Sequence, residues 1–231
     1  MNINFDFLTT YYPYFIYGTL VTLIISVITI IFGTIIGVIM ALLKLSKIPL
    51  LRWFANIYIE VLRGTPMLLQ IMIGFIILQN YFRLPAIDIG ILSVDLSRLI
   101  PGIIVISLNS GAYVAEIVRG GINAVDYGQA EAASSLGLRP FQGMRYVILP
   151  QALRNILPPL GNEFIVLIKD SSLLSIIGIV ELMNSSQIVI TSTFTPLSPY
   201  FVAAAIYFII TFATSRALGV WEKHLGRGYH R

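Results

Sequence analysis

Charged and amide side chains set inside long apolar runs are the places where this sequence can do chemistry. The densest group is Asn162 and Glu163, followed by Lys169, Asp170, Ser171 and Ser172. A charge at the centre of a membrane span costs about 2.5 to 3.5 kcal/mol on insertion scales and usually faces a cavity or a partner. Glu163 has no opposite charge within a helical turn, since Lys169 lies six positions on and off its face. It needs a partner from elsewhere, either an arginine of another helix such as Arg63 or a solute passing through a cavity. A second group is Glu60 and Arg63 directly before Gly64, Thr65 and Pro66. Proline removes a backbone donor and clashes with the preceding turn, which predicts a broken helix beside a cavity, with a simple kink as the alternative. Asn109, Ser110 and Gly111 interrupt a third apolar run, either as cavity lining or as a helix contact through small residues. All of this is reversible binding chemistry. The chain has no cysteine, its only histidines are His224 and His230 in a polar tail, and neither H-E-x-x-H nor G-x-x-x-x-G-K-[ST] occurs. No catalytic residue and no metal ligand is therefore expected.

The elements that must position these groups are spans. The 231 residues are 57% hydrophobic and only 11% charged, against about 25% charged in soluble domains. From Phe7 to Leu43 tyrosine is the only ionisable side chain, and about 20 apolar residues already cross the hydrocarbon core as a helix. Asp6 in place of a basic flank, and the length of this run, predict a retained span rather than a cleaved signal peptide. Five spans are expected, at 14–43, 53–82, 99–119, 157–190 and 199–220. The fold class is thus an all-α integral membrane protein, with residues 1–231 forming a single transmembrane domain.

The basic excess records topology and not nucleic-acid binding. Lys44, Lys47 and Arg52 follow the first span, Arg119, Arg139, Arg145 and Arg154 fill the stretch between the third and fourth, and Lys223, Arg227 and Arg231 follow the fifth. The positive-inside rule puts all three stretches and the C-terminus in the cytoplasm and the N-terminus outside. Residues 120–156 are too polar to span. Asp126 with Gln129 caps a short helix, Ala130, Ala132 and Ala133 favour its interior, and Gly137 suits the left-handed residue beyond its end. Pro140 opens a second short helix, which Pro150 is expected to stop. The pair reads as a cytoplasmic docking surface.

These residues carry a family resemblance. Glu131, Ala132, Ala133, then Gly137, then Val147, Leu149 and Pro150 resemble the EAA loop of ABC importer permeases, with Val147 in place of the usual isoleucine. Arg63-Gly64-Thr65-Pro66-Met67-Leu68-Leu69 is similar to the R-G-T-P-L-L element of the polar and basic amino-acid group, the histidine/glutamine/arginine permeases. The resemblance covers almost the whole chain. It implies the type I ABC importer permease fold in a bacterial inner membrane and transport of amino acids by alternating access. It also implies a second permease copy, identical or related, two ABC ATPase subunits and an extracytoplasmic solute-binding protein. ATP and Mg would reside on the partner ATPase, with no cofactor in this chain. Glu131, Ala132, Ala133 and Gly137 would couple to that ATPase.

An amino-acid zwitterion at low dielectric needs fixed groups of opposite sign. Glu163, assisted by Asn162, Asp170, Asn109, Ser110 and Thr65, is expected to contact it, favouring arginine, lysine or histidine, with glutamine accommodated through Asn162. An ATP-independent channel or secondary transporter would explain Glu163 as an ion site but leaves the E-A-A loop unexplained, and a membrane enzyme lacks reactive residues. The topology is checked by Ser135→Cys, since the chain has no native cysteine. An impermeant thiol reagent outside intact cells should leave it unlabelled and should label it in inverted vesicles.

Overall fold

The computed structural model describes residues 5–226; Arg227, His230 and Arg231 of the basic tail lie outside the described residues. Helix α1, Leu8–Leu45, runs 38 residues, about 57 Å at 1.5 Å per residue. Its buried face carries Phe15, Val21 and Ile25 beside a row of small residues, Gly18, Thr22, Ser26, Thr29, Gly33, Gly37 and Ala41, spaced three or four apart. The other faces expose Ile16, Leu20, Ile24, Ile31, Ile35 and Leu42. Small residues let backbones approach where apolar bulk gives no advantage over lipid. The main neighbour is α4, Leu96–Asn123. Gly33 meets Ser110 and Gly37 meets Val114, so the two helices run in the same direction.

The region drawn as one span at 53–82 is two helices, α2 (Pro49–Gly64) and α3 (Met67–Leu78), bent by 111°. The break falls at Thr65 and Pro66, both extended, as the missing proline donor predicts. An antiparallel hairpin that the all-α reading lacks follows, β1 (Ala86–Ile89) and β2 (Leu92–Asp95), in register Ala86↔Asp95 to Ile89↔Leu92. Its signal is an alternation of Ile87, Ile89, Leu92 and Val94 with polar residues around Gly90, whose φ of 63° suits a tight turn. Asp95 then caps α4 by accepting from the Ser97 N–H at 2.8 Å.

In the segment 120–156, α5 (Tyr127–Ser135) is capped by Asp126, which accepts from the Gly128 N–H at 2.7 Å. Gly137 is left-handed at φ 80°. Helix α6, Pro140–Gly143, does not stop at Pro150. It continues through a π turn, Met144–Ile148, into α7, Leu149–Asp170. Here the Leu149 N–H bonds to the Met144 carbonyl, five residues back. The wider turn supplies the room that the proline ring needs, and its missing donor falls at the first turn of α7.

The region drawn as a fourth span at 157–190 is also divided. Helix α7 ends at Asp170, a 3₁₀ segment covers Ser171–Ile177, Gly178 is left-handed, and α8 occupies Leu182–Thr193. Ser171 and Ser175 hydroxyls donate to carbonyls three residues back, which competes with a regular helix. Helix α9, Ser198–Gly226, closes the fold. By length and composition α1, α4 and α9 can each cross a bilayer, and α2 with α3 qualifies as a bent pair. Helix α7 has the length but carries Arg154, Glu163, Lys169 and Asp170. Of these Glu163 turns into the protein, Asp170 is half-buried, and Arg154 and Lys169 are exposed.

The α1 and α4 contact offers a stability test. A Cβ on Gly37 would lie 2.5 Å from Val114 Cβ, whereas Gly64 has nothing within 4 Å. Gly37→Leu should lower stability in detergent by about 1–3 kcal/mol or more through overpacking, seen as a reduced thermal midpoint, while Gly64→Ala should stay close to the parent.

Candidate functional site

Pro66 cannot donate to the carbonyl four residues back, so the Leu62 oxygen is left without its helical partner. Two amides replace that donor. Gln70 Nε2 donates to it at 2.8 Å and Asn109 Nδ2 at 3.1 Å. Gln70 also donates to the Thr65 carbonyl at 3.0 Å and to Thr65 Oγ1 at 2.7 Å, and accepts from Asn109 Nδ2 at 2.8 Å. Thr65 Oγ1 donates in turn to the Val61 carbonyl at 2.8 Å. Tyr58 adds a hydroxyl bond to the Leu108 carbonyl. The break is thus bolted to the middle of α4, and beside it lies a crevice of about 310 Å³ lined by Val61, Leu62, Thr65, Gln70 and Leu108 among others.

The neighbouring residue of α4 points the other way. Ser110, fully buried against Gly33 of α1, donates to Glu163 Oε1 at 2.9 Å. Glu163 is 9% exposed, and among the described residues no cation lies within ion-pair distance of it. The alternative of a pair with Arg63 is therefore overturned. The Arg63 guanidinium lies 5.2 Å from the centre of the Tyr113 ring, with Nη1 4.0 Å from Glu116 Oε2. Glu116 is the centre of a second cluster, 2.7 Å from Lys44 Nζ and 2.7 Å from Arg119 Nη2.

The six residues predicted to line the path thus fall into two bonded pairs and two outliers. Asn109 meets Thr65 through Gln70, and Ser110 meets Glu163. Asn162 is exposed on α7 and Asp170 is half-buried at its end; among the described residues neither is hydrogen-bonded to Glu163 or Ser110. Sequence reasoning missed Gln70, whose signal is its place one turn beyond Pro66. It also missed Glu181. That carboxylate is completely buried, caps α8 by accepting from the Met183 and Asn184 N–H groups at 2.9 and 2.8 Å, and accepts from the Tyr207 hydroxyl at 2.7 Å and Thr22 at 3.4 Å.

At the other end of α7, Glu131 and Ala132 are exposed but Ala133 is buried, close to Gly143. Glu131 and Ala132 thus belong to the outer surface of α5 and Ala133 does not. Ala133 turns inward to let α5 and α6 approach, and the large exposed groups are Tyr127, Leu136 and Phe141.

A bent, side-chain-stitched span and a buried carboxylate among apolar helices define a multi-span helical membrane protein of the transporter class. The chain belongs to the family of binding-protein-dependent transport system inner membrane components, whose model matches residues 33–227. A protein of Rickettsia felis that carries the name of a glutamine transport system permease, GlnP, is 43% identical over 96% of this chain and 98% of its own. The arginine transport system permease protein ArtQ of Bacillus subtilis is 37% identical over 91% of each chain. A crystal structure of an amino acid ABC transporter with histidines aligns at a TM-score of 0.87 and 40% identity, covering 97% of this chain and 100% of that one. An inward-facing methionine ABC transporter, MetNI, shares the fold at a TM-score of 0.72 and 16% identity. The fold is that of the type I ABC importer permeases.

The stitching of the break is open to measurement. Gln70→Leu leaves Asn109 and the Leu62 carbonyl short of partners and should cost about 1–3 kcal/mol, read as a lower thermal midpoint in detergent. Gln79→Leu, at the exposed end of α3, should be close to neutral.

Proposed function

We propose that this chain is the membrane-spanning subunit of an ATP-driven importer of amino acids, with basic and polar ones preferred, working by alternating access. The observation that carries the reading is Glu163. It is a buried carboxylate at span depth whose partner is a serine hydroxyl and not a cation. A group of that kind is costly unless something positive visits it. The ammonium of an amino acid, or its cationic side chain, supplies the missing charge. Asp170, one helix turn pair further along α7, serves a second positive group, and Asn162, Asn109, Ser110 and Thr65 supply hydrogen bonds. The names of relatives that move glutamine and arginine support the same substrate class.

Residues 1–231 act as one transmembrane domain in the bacterial inner membrane, N-terminus outside and C-terminus in the cytoplasm. The segment 120–156 docks on the ATPase. Glu131 offers a charge for a basic group there, Ala132 a close approach and Gly137 the corner between the short helices. A second permease copy, identical or related, completes the path. Two ATPase subunits hold ATP and Mg, and an extracytoplasmic solute-binding protein delivers substrate, as membership of a binding-protein-dependent family implies.

The test is ATP hydrolysis by the reconstituted complex, stimulated by its binding protein with a panel of amino acids. Arginine, lysine, histidine or glutamine should stimulate and glutamate should not. Glu163→Gln should still assemble with the ATPase while transport of cationic amino acids falls about tenfold or more, the loss expected for a charge-assisted bond. Unaltered affinity and selectivity across basic, neutral and acidic amino acids would return Glu163 to a purely structural role.

A further inference from the structure

An amino acid carries a carboxylate as well as an ammonium, and the site around Glu163 answers only the positive end. Three cations stand close to α4 on its cytoplasm-directed half, Lys44, Arg63 and Arg119, gathered around the single carboxylate of Glu116. They are not equally occupied. Lys44 takes Glu116 Oε1 at 2.7 Å, and Arg119 takes Oε2 through Nη2 at 2.7 Å and Nε at 3.2 Å. Arg63 is left outside at 4.0 Å, beyond hydrogen-bond range, with its side chain 43% exposed and its guanidinium over the Tyr113 ring at 5.2 Å from the centre. The cluster keeps an excess of two positive charges, and Arg63 is the member with donors to spare.

Its place follows from the register of α4. Asn109, Tyr113 and Glu116 are spaced four and three apart and share one face. Asn109 bonds the carbonyl of Leu62, the residue before Arg63, and Tyr113 and Glu116 receive the Arg63 side chain. Leu62 and Thr65, on either side of Arg63 in sequence, line the crevice at the break. Ser110, adjacent to Asn109, holds Glu163. A carboxylate-seeking cation thus stands one to two turns along α4 from Asn109, and an ammonium-seeking carboxylate is held on the next face of the same helix by Ser110. Lys169 is the other cation on these elements at span depth, but it lies six positions beyond Glu163 and off its face.

We propose that Arg63 is the residue that selects for the α-carboxylate of the amino acid, receiving it in a bidentate pair as the solute passes the break. This rests on the reading of Glu163 as the ammonium site. The guanidinium fork matches a carboxylate with two parallel N–H bonds, and stacking on Tyr113 holds it planar and poised. Glu116, already neutralised by Lys44 and Arg119, does not compete strongly. Such a residue reads the backbone of the substrate, a selection added to the side-chain preference that Glu163 and Asp170 set.

The test measures direct binding to the purified permease and ATPase complex without the binding protein, by equilibrium dialysis. The probes are L-arginine with its decarboxylated amine agmatine, and L-glutamine with its decarboxylated amine 4-aminobutanamide. The unmodified complex should prefer each amino acid to its amine by about ten- to a hundredfold. Arg63→Gln should erase that preference by weakening the amino acids alone. Arg63→Lys keeps the charge without the fork, should retain part of the preference, and replaces the first variant if that one does not assemble. A variant that keeps the full preference, or weakens amine and amino acid equally, overturns the assignment. Glu163→Gln should weaken arginine and agmatine alike. If the unmodified complex binds none of the four probes, the pathway reading itself fails and Arg63 falls with it.

Discussion

Inside hydrocarbon a backbone carbonyl without a donor has no water to turn to, and each such group costs several kcal/mol. Pro66 creates one at Leu62, and much of the middle of this protein is arranged around that oxygen. Two amide side chains from different elements converge on it, one from α3 and one from α4. Because Asn109 is recruited to the break, its neighbour Ser110 is turned a hundred degrees around α4 toward α7, where it meets Glu163. The bend of 111° between α2 and α3 is therefore part of a polar bridge running from one side of α4 to the other.

That bridge requires α4 to sit close to α1. The small residues of α1 bring Gly33 against Ser110 and Gly37 against Val114, leaving Ser110 no exposure. A bulkier residue at position 33 would displace the hydroxyl that Glu163 depends on. Packing and polar chemistry are thus coupled through two glycines, in a setting where helix association gains little from the hydrophobic effect and much from close fit.

Much of this was legible in the sequence, and the failures have physical causes. The break at Pro66, the cap at Asp126 and the left-handed Gly137 follow from local backbone rules and are found as expected. The fourth span was drawn by hydropathy, which does not register a 3₁₀ segment, a left-handed Gly178 or a glutamate cap. Pro150 was read as a stop because proline ends most helices, yet a π turn absorbed it. Gln70 and Glu181 were passed over because their partners are distant in sequence: Asn109 is 39 positions from Gln70, and Thr22 is 159 from Glu181. Asp170 follows Glu163 by two turns on the same face of α7, as its spacing implies, whereas Asn162 lies a hundred degrees away on an exposed face.

The π turn at Met144–Ile148 has a mechanical meaning. Because the chain does not stop at Pro150, α6 and α7 form a single rod from Pro140 to Asp170, about 46 Å long at 1.5 Å per residue. One end carries the exposed Phe141 and the far half carries Glu163. No loop separates Phe141 from Glu163, but Pro158 and Pro159 inside α7 remove two helical donors between them. The π turn and this proline pair are the two places along the rod where the regular helical bonding is relaxed, and a small change of winding or bend is absorbed there as at a torsion joint.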